Sequence, residues 1–497
     1  MRKWQRDWDL NNYLCNKIFE TFFRGDTVLY TDLPFDTLHE ECGVFGIYGD
    51  DLIKPAMATY LGLYALQHRG QESCGIAVSD MGVISSHKDM GLVGEVFNDD
   101  ILESLNGQIA IGHIRYSTAG ESAVQNAQPL VIGHKNGRIA IAHNGNLTNA
   151  DEVRDELSQH GAMFHTTIDS EVIAHVIAQE RINAPSIEVA VQRATQRIKG
   201  AYSLVVISPT KLVLARDPNG FRPLVLGKKG NAYVAASETC ALDAVGAEFV
   251  RDIEPGEVVA INSHGVESIK ENCSGKRNIC IFEYIYFARS DSIIEGIPVH
   301  TSRLKAGALL AKQNPVDADL VIGVPDSGLD AAIGYANESG IPYGIGFTRN
   351  NYVGRTFIKP TQSERMTSIG IKLNVLRQAV EGKRIIMVDD SIVRGSTSAN
   401  IIRALKNAGA TEVHVRISSP TLHYPCYFGT DIPTRDELTS NHNSVEQLCK
   451  LIGADSLSFL NKDSLGELIN TKEKTYCDAC FTGNYPIEIK KGVVEDD

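Results

Sequence analysis

Cys42 stands in the stretch HEECGVFGIYG (39–49), directly after Glu40 and Glu41 and at the head of an apolar run that reads as the first core strand. A thiol attacks a carbon centre as its thiolate, and an unperturbed thiol with a pKa of ~8.5 is mostly protonated at neutral pH. No histidine follows within a few residues to act as a base. An α-amino group, with a pKa of about 7.7–8.0, lies close to the ideal for a general base. Cutting the peptide bond before Cys42 would place such an amine on the nucleophile's own residue. The competing reading is a small buried core cysteine, so other residues must decide.

Three stretches supply candidates. IGHIRYSTAG (111–120) carries Arg115 out of a strand, and a guanidinium holds a carboxylate bidentately. AHNGNL (142–147) places Asn144 and Gly145 in a tight turn, where a side-chain amide and a backbone N–H form an oxyanion hole. TTIDSE (166–171) offers Asp169, a carboxylate suited to an α-ammonium group. Together they would grip both ends of an α-amino acid and stabilise attack on its side-chain amide. Each has a plainer alternative: a surface ion pair, a hairpin turn, a helix cap.

IIMVDDSIVRGSTSAN (385–400) points to phosphate chemistry. A β-branched strand ends in Asp389 and Asp390, a turn carries Arg394 and Gly395, and Ser396, Thr397 and Ser398 open a helix. The N–H groups of such a helix start bind phosphate, and the hydroxyls add donors. Paired carboxylates suit ribose hydroxyls, directly or through Mg²⁺. A nucleoside-triphosphate P-loop is excluded, because it needs Ser or Thr after Gly-Lys and the Gly-Lys pairs here precede Lys229, Arg277 and Arg384.

TYCDACFTG (475–483) contains Cys477 and Cys480. With Cys280 and Cys426 they could complete a set of thiolates for Zn²⁺ or an iron–sulfur cluster, and the residues alone do not separate the two. Cys74 and Cys240 read as small core residues, while Cys15, Cys273 and Cys449 have no assignment.

These residues need two kinds of scaffold. From Cys42 to about Cys273, β-rich runs broken by glycine turns (107–117, 137–147, 201–208, 231–237) alternate with predicted helices at 55–69, 149–160, 169–181 and 186–199, the third capped within Thr167–Ser170. That pattern predicts packed sheets with helices outside. From about Lys276, strands at 318–325, 341–348, 383–392 and 411–418 alternate with helices at 328–339, 368–381 and 396–408, which predicts a parallel doubly wound sheet. The polar stretch 265–280 reads as the boundary.

The chain has 497 residues, 43% of them hydrophobic and 22% charged, and a net charge of −13. An acidic balance excludes a general nucleic-acid binder but not a local phosphate pocket. No run approaches the ~18 apolar residues of a membrane span. Asp7, Asp9, Asn11 and Asn12 break any signal-peptide core. Ten cysteines in this length are no disulfide scaffold, so the chain reads as cytoplasmic.

CGVFGI, LQHRGQESCGIA (66–77), GHIRYST, HNGNL and the Asp169 segment, in this order, resemble the N-terminal-nucleophile glutamine amidotransferases. VDDSIVRGSTS resembles the phosphoribosyl pyrophosphate (PRPP) motif of type I phosphoribosyltransferases. The resemblance implies an α+β amidohydrolase sandwich (αββα) followed by an α/β phosphoribosyltransferase domain: 1–41 a propeptide, 42–275 the glutaminase, 276–497 the transferase with a C-terminal cluster-binding segment. It implies Cys42 as nucleophile, Asn144 and Gly145 as oxyanion hole, and Arg115 and Asp169 as glutamine binders. Asp389 and Asp390 would meet ribose and, with Ser327 of GVPDSG (323–328), one Mg²⁺ per subunit. Arg394–Ser398 would hold the 5-phosphate, and Arg349, Arg355 and Lys359 of a mobile loop (349–360) would cover pyrophosphate.

Together the halves resemble the PRPP amidotransferases, in the processed branch that carries one [4Fe–4S] cluster per subunit on Cys280, Cys426, Cys477 and Cys480. The expected function is glutamine-dependent amination of PRPP. The family further implies purine-nucleotide feedback inhibitors and a homotetramer, with no nucleic-acid or membrane partner. The alternatives are a glucosamine-6-phosphate synthase, which shares only the cysteine half, and a non-catalytic regulator on a phosphoribosyltransferase fold.

Overall fold

Short apolar strands, buried along nearly their whole length at the centre of each sheet, build the first half of the chain. The computed structural model describes residues 42–49, 54–116, 122–135, 137–350 and 373–489. Its strands in order are β1 (Gly43–Tyr48), β2 (Ser73–Asp80), β3 (Val83–Met90), β4 (Ile109–Arg115), β5 (Leu130–His134), β6 (Gly137–Leu147), β7 (Gly200–Ile207), β8 (Leu212–Arg216), β9 (Val225–Lys229), β10 (Ala232–Ala236), β11 (Glu248–Asp252), β12 (Val258–Asn262) and β13 (Gly265–Ile269). One antiparallel sheet runs β11-β9-β10-β1-β4-β2-β3 and the other β13-β12-β8-β7-β6-β5.

Alternate residues of each strand point to opposite faces. Val44, Ala77 and Ile111 meet Ala142, Val205 and Leu214 between the sheets. Phe45 and Ile47 turn outward onto α1 (Pro55–Ala65) and the helix Thr239–Val245. On the far side Ile141, Leu204 and Val213 pack under α2 (Ala150–Gln159), α3 (Asp169–Glu180) and α4 (Ile187–Ala194). Full burial of each such aliphatic side chain contributes roughly 1.5–3 kcal/mol. Gly46 faces the opposite sheet, where a Cβ would lie 2.6 Å from Val205 Cγ1, so glycine there sets how closely the sheets approach. The layers are helix, sheet, sheet, helix, as expected.

The second half is a parallel sheet. Strands β14 (Ile279–Cys280), β15 (Ile293–Ile294) and β16 (Ile297–Pro298) precede β17 (Leu320–Gly323), β18 (Phe347–Arg349), β19 (Leu373–Val375), β20 (Arg384–Asp389), β21 (Glu412–Ile417), β22 (Ser456–Phe459) and β23 (Tyr476–Cys477). The sheet order is β17-β20-β21-β22, all parallel. Ile386 and Val388 of β20 pack on α5 (Val299–Gln313) and α6 (Gly328–Ser339), while Ile385 and Met387 pack on α7 (Ser396–Asn407) and α8 (Val445–Ile452). Both faces are covered, which explains the unbroken apolar run in β20. Helices α5 and α6 touch through glycines: a Cβ on Gly307 would lie 1.8 Å from Ala331 O, and one on Gly334 1.9 Å from Leu304 O.

Four expectations require correction. Residues 341–348 do not form a continuous sheet strand; Tyr343 makes one parallel bridge to Val321, and only 347–349 are extended. A helix over 368–381 does not form in its described part. Residues 373–375 pair antiparallel with 347–349, because Leu373 and Val375 pack beside Phe347 in the core, and only Arg377–Val380 turn helically. The polar stretch 265–280 begins with β13, an edge strand. At α3 the cap position belongs to Ile168, and Asp169 is the first helical residue, its carboxylate drawn to Leu147 N at 2.9 Å. Strand β22 and helices α5 and α8 carried no expectation. Among the described residues no helix is long and apolar enough to cross a membrane.

Candidate active site

Cys42 lies just before β1, at the end of the sandwich where β4 and β6 finish. Its Sγ is 3.6 Å from Tyr116 O. Burial pushes the thiol up to about 11, with the Tyr116 carbonyl contact and the Arg115 charge acting the other way and Glu72 and Asp169 adding to the rise. In the uncut chain it is therefore a thiol at neutral pH. The three charges that act on it, Arg115, Glu72 and Asp169, come from separate elements and converge on this point.

Arg115 is buried, and its Nη1 donates to Glu72 Oε1 at 2.6 Å. Asp169 Oδ2 accepts from Leu147 N at 2.9 Å, and Oδ1 is 3.6 Å from His143 Nδ1. Burial raises its pKa, but His143 and backbone N–H donors outweigh this and hold the carboxyl below its ordinary value. Asp169 is thus an anion whose partners fix its direction.

Asn144 is 1% exposed, and among the described residues its Nδ2 meets no hydrogen-bond acceptor. An unpartnered buried donor is costly unless a ligand uses it. Asn144 and Gly145 do not form the expected tight turn: they lie in strand β6, opposite Ser203 and Tyr202 of β7, where Gly145 has φ +143° and a Cβ would fall 2.1 Å from Ala201 O, so only glycine fits.

The second constellation lies at the carboxyl ends of the parallel strands, where α/β sheets bind ligands. Ser327 Oγ donates to Asp390 Oδ2, and Ser391 Oγ donates to Oδ1 at 2.6 Å. Burial raises the Asp390 carboxyl against the pull of Ser327, Ser391 and the Arg303 charge. Gly328 lets the 323–328 loop approach: a Cβ would lie 2.5 Å from Val388 O. Gly395, at φ +89°, precedes Ser396–Ser398 in the first turn of α7. Arg394 Nη2 pairs with Glu437 Oε1 at 2.7 Å, and Arg349 pairs with Asp326. Arg355 and Lys359 lie outside the described residues, as does all of 1–41 with Cys15.

Cys280, Cys426, Cys477 and Cys480 line one small cavity with Phe221, Phe282, Phe428 and Tyr485. β14 and β23 pair in parallel with Cys280 opposite Cys477. Phe428 N donates to Cys426 Sγ at 3.3 Å. Burial pushes Cys280 and Cys477 up to about 12, and the neighbouring sulfurs push the same way. Among the described residues no three His, Cys, Asp or Glu side chains converge to hold one ion. Four cysteine sulfurs around one cavity are the donor set of a thiolate-held group, a metal ion or an iron–sulfur cluster. Cys74 and Cys240 are buried core residues, and Cys273 and Cys449 are partly exposed.

Reasoning from sequence missed one network. Arg69 Nε donates to Cys42 O at 3.2 Å, and its other nitrogens pair with Glu238 at 2.6 Å and Glu283 at 2.7 Å, all three side chains fully buried. Arg222 Nη1 is 3.7 Å from Glu283. Glu238 also accepts from Ser292 Oγ at 2.6 Å and Arg289 N at 3.0 Å. The available signal was the stretch QHRGQES, which concentrates charge immediately before an apolar strand.

An amidophosphoribosyltransferase of Bacillus subtilis (strain 168) is 48% identical over 462 residues, covering 92% of this chain and 96% of that protein. The chain belongs to the amidophosphoribosyltransferase family. A relative of the same family in Archaeoglobus fulgidus is also 48% identical, over 90% of this chain and 98% of that one. Residues 113–244 match a family model described as a glutamine amidotransferase domain. The solved glutamine PRPP amidotransferase of B. subtilis, complexed with ADP and GMP, superposes with a TM-score of 0.84 at 47% identity, over 90% of this chain and 98% of that one. A second solved structure, described as the allosteric regulatory enzyme of purine biosynthesis, gives 0.85 at 47% identity, over 90% and 97%.

The amidophosphoribosyltransferase architecture accounts for both constellations: an αββα sandwich followed by a parallel sheet in one chain. It brings Cys42, Arg115 and Asp169 together, and Ser327 with Asp390.

Proposed function

We propose that the chain converts glutamine, PRPP and water into 5-phosphoribosylamine, glutamate and pyrophosphate, the first committed step of purine synthesis. The observation that carries this is one chain holding both an αββα sandwich that opens at Cys42 and a parallel sheet whose strand β20 ends at Asp389; the Arg115 and Asp169 charges, which both act on the Cys42 thiol, suit the two ends of an α-amino acid. The free Cys42 α-amine takes the thiol proton as Sγ forms its bond to the glutamine side-chain amide carbon. The oxyanion meets Asn144 Nδ2 and the Gly145 N–H, the C–N bond breaks, and ammonia leaves with a proton from the Cys42 α-ammonium. Water then hydrolyses the γ-glutamyl thioester. Arg115 binds the α-carboxylate and Asp169 the α-ammonium. Ammonia forms a bond to ribose C1 as pyrophosphate departs.

In the second half, Arg394, Gly395, Ser396, Thr397 and Ser398 bind the 5-phosphate, Asp389 and Asp390 bind ribose hydroxyls, and Arg349, Arg355 and Lys359 cover pyrophosphate. Ser327, Asp389 and Asp390 offer the hard oxygen donors that Mg²⁺ shares with substrate phosphates, and the ion would neutralise charge on the leaving pyrophosphate. A [4Fe–4S] cluster on Cys280, Cys426, Cys477 and Cys480 would join the C-terminal segment to the rest of the fold.

The proposed domains are a propeptide at 1–41, removed autocatalytically between Glu41 and Cys42, a glutaminase at 42–275 and a transferase at 276–497. Purine nucleotides as feedback inhibitors, a homotetramer and a cytoplasmic location belong to the same reading. The nucleotide complex of the B. subtilis structure supports the first of these.

The test is glutaminase activity with and without PRPP, on anaerobically purified protein whose intact mass and N-terminal sequence are known. Expected are an N-terminal Cys42, glutamate release stimulated by PRPP, and loss of it in Cys42→Ala. Glutaminase indifferent to PRPP but responsive to fructose 6-phosphate would indicate a glucosamine-6-phosphate synthase. No glutaminase at all would indicate a regulator.

A further inference from the structure

Asn144 and Gly145 lie near the end of β6, paired with Ser203 and Tyr202 of β7, and a segment from the second half of the chain also reaches them. Asn146 Nδ2 donates to Tyr427 O at 3.1 Å. Gly429 faces Gly145 directly: a Cβ on Gly429 would lie 3.2 Å from Gly145 C and 3.3 Å from its Cα. Gly429 itself has φ +106°, a conformation that favours glycine.

The segment carrying these contacts is clamped. Phe428 O accepts from Arg222 Nε at 3.1 Å and Nη2 at 2.6 Å, and Thr430 Oγ1 accepts from Nη2 at 3.2 Å. The Phe428 ring stacks on Phe221, with centroids 4.2 Å apart and planes at 14°. The segment begins at Cys426, one of the cysteines around the cavity.

We propose that Cys426–Thr430 is a positioning strap for the Asn144–Gly145 end of β6, acting through Asn146 and Gly429. The inference rests on the reading of Asn144 and Gly145 as the oxyanion hole. An oxyanion hole works only if its donors are already aimed at the developing charge, and displacement by about 1 Å removes roughly a hundredfold in rate. The Asn144 amide has no acceptor among the described residues to fix it, so its direction depends on the backbone of β6. The β7 ladder holds that backbone along one edge, and at its end it is tied by Asn146 and backed by Gly429. The strap also joins the cysteine-lined cavity to this end of β6 through a few bonds.

Two variants test this in the full processed chain. Asn146→Ala removes the tie, and Gly429→Ala pushes a methyl group against Gly145. Each is expected to lower glutaminase kcat about tenfold to a hundredfold. The glutamine KM should stay within about twofold, because oxyanion contacts form only in the transition state. Phosphoribosylamine formation from PRPP and free ammonia and the N-terminal Cys42 should match the parent in both variants, and the thermal midpoint should match it in Asn146→Ala; Gly429→Ala, at φ +106°, is expected to lower the midpoint as well. Unchanged kcat in both variants overturns the proposal. So does a fall in kcat that is matched by an equal loss in ammonia-dependent synthesis, or a fall in Asn146→Ala that is matched by a lowered midpoint, since that assigns the segment a merely structural role. If the parent chain itself releases no glutamate, the functional reading has failed instead.

Discussion

The backbone carbonyl of Cys42 accepts a 3.2 Å hydrogen bond from the Nε of Arg69, whose guanidinium is fully buried and reaches Glu283 in the second half of the chain at 2.7 Å. The residue carrying the candidate nucleophile is therefore anchored by a charge that Glu238 of the first half and Glu283 of the second neutralise together.

Breaking that pair should be expensive. Glu283→Ala leaves Arg69 short of a buried counter-charge, and the expected loss is about 3–5 kcal/mol, read from a urea or thermal midpoint. Replacing both partners, Arg69→Met with Glu283→Leu, should recover only part of this: Glu238 keeps His68, Ser292 and Arg289 N as partners, but the buried Arg222 loses the Glu283 charge 3.7 Å away. Glutaminase should stay depressed in the double variant, since the Cys42 carbonyl has lost its donor. A double variant with parental glutaminase would show that the anchor is dispensable.

Asn144→Ala separates activity from stability. Loss of one oxyanion donor costs about 10²–10³ in kcat. The Nδ2 meets no acceptor among the described residues, so little folding energy goes with it. The expected result is a chain with a parental melting point, nearly parental glutamine binding and almost no glutamate release, checked by calorimetry and steady-state kinetics.

Burial pushes the Cys42 thiol up to about 11 in the uncut chain. The thiolate fraction, and with it the alkylation rate by iodoacetamide, should rise tenfold per pH unit across the neutral and moderately alkaline range. After cleavage a free amine with a pKa of about 7.7–8.0 is available as base. Glutaminase should then increase with pH through that value and level off above it. A precursor alkylated with a midpoint near pH 8 would contradict the role of burial.

Gly328→Ala is expected to damage the phosphate site. The new Cβ would press on Val388 O at 2.5 Å, backbone that cannot swing away, so β20 and the attached Asp389 must shift. Overpacking of this kind costs about 1–3 kcal/mol. Mg²⁺-dependent PRPP binding, measured calorimetrically, should weaken by more than the lowered stability explains.

Both tryptophans, Trp4 and Trp8, precede Cys42. Processed enzyme should show tyrosine emission only, and indole emission should persist in unprocessed chain. Active protein that retains indole emission after purification would contradict removal of 1–41.

Sequence alone determined the kinds of element and the chemical types at their ends. The apolar, glycine-bounded runs of β1 and β4 and the unbroken run in β20 all mark strands covered on both faces. Those are local properties, written in neighbouring residues. The motifs around Cys42, Asn144, Asp169 and Asp389 were legible for the same reason. Tertiary structure decided the rest. Residues 373–375 pair with 347–349 because Leu373 and Val375 find an apolar surface that no local periodicity announces. Arg69 with Glu283, and Asn146 with Tyr427, are contacts between segments far apart in the chain. A buried charge or amide takes whichever partner the folded surfaces bring within reach, and that choice exists only once the two halves have packed.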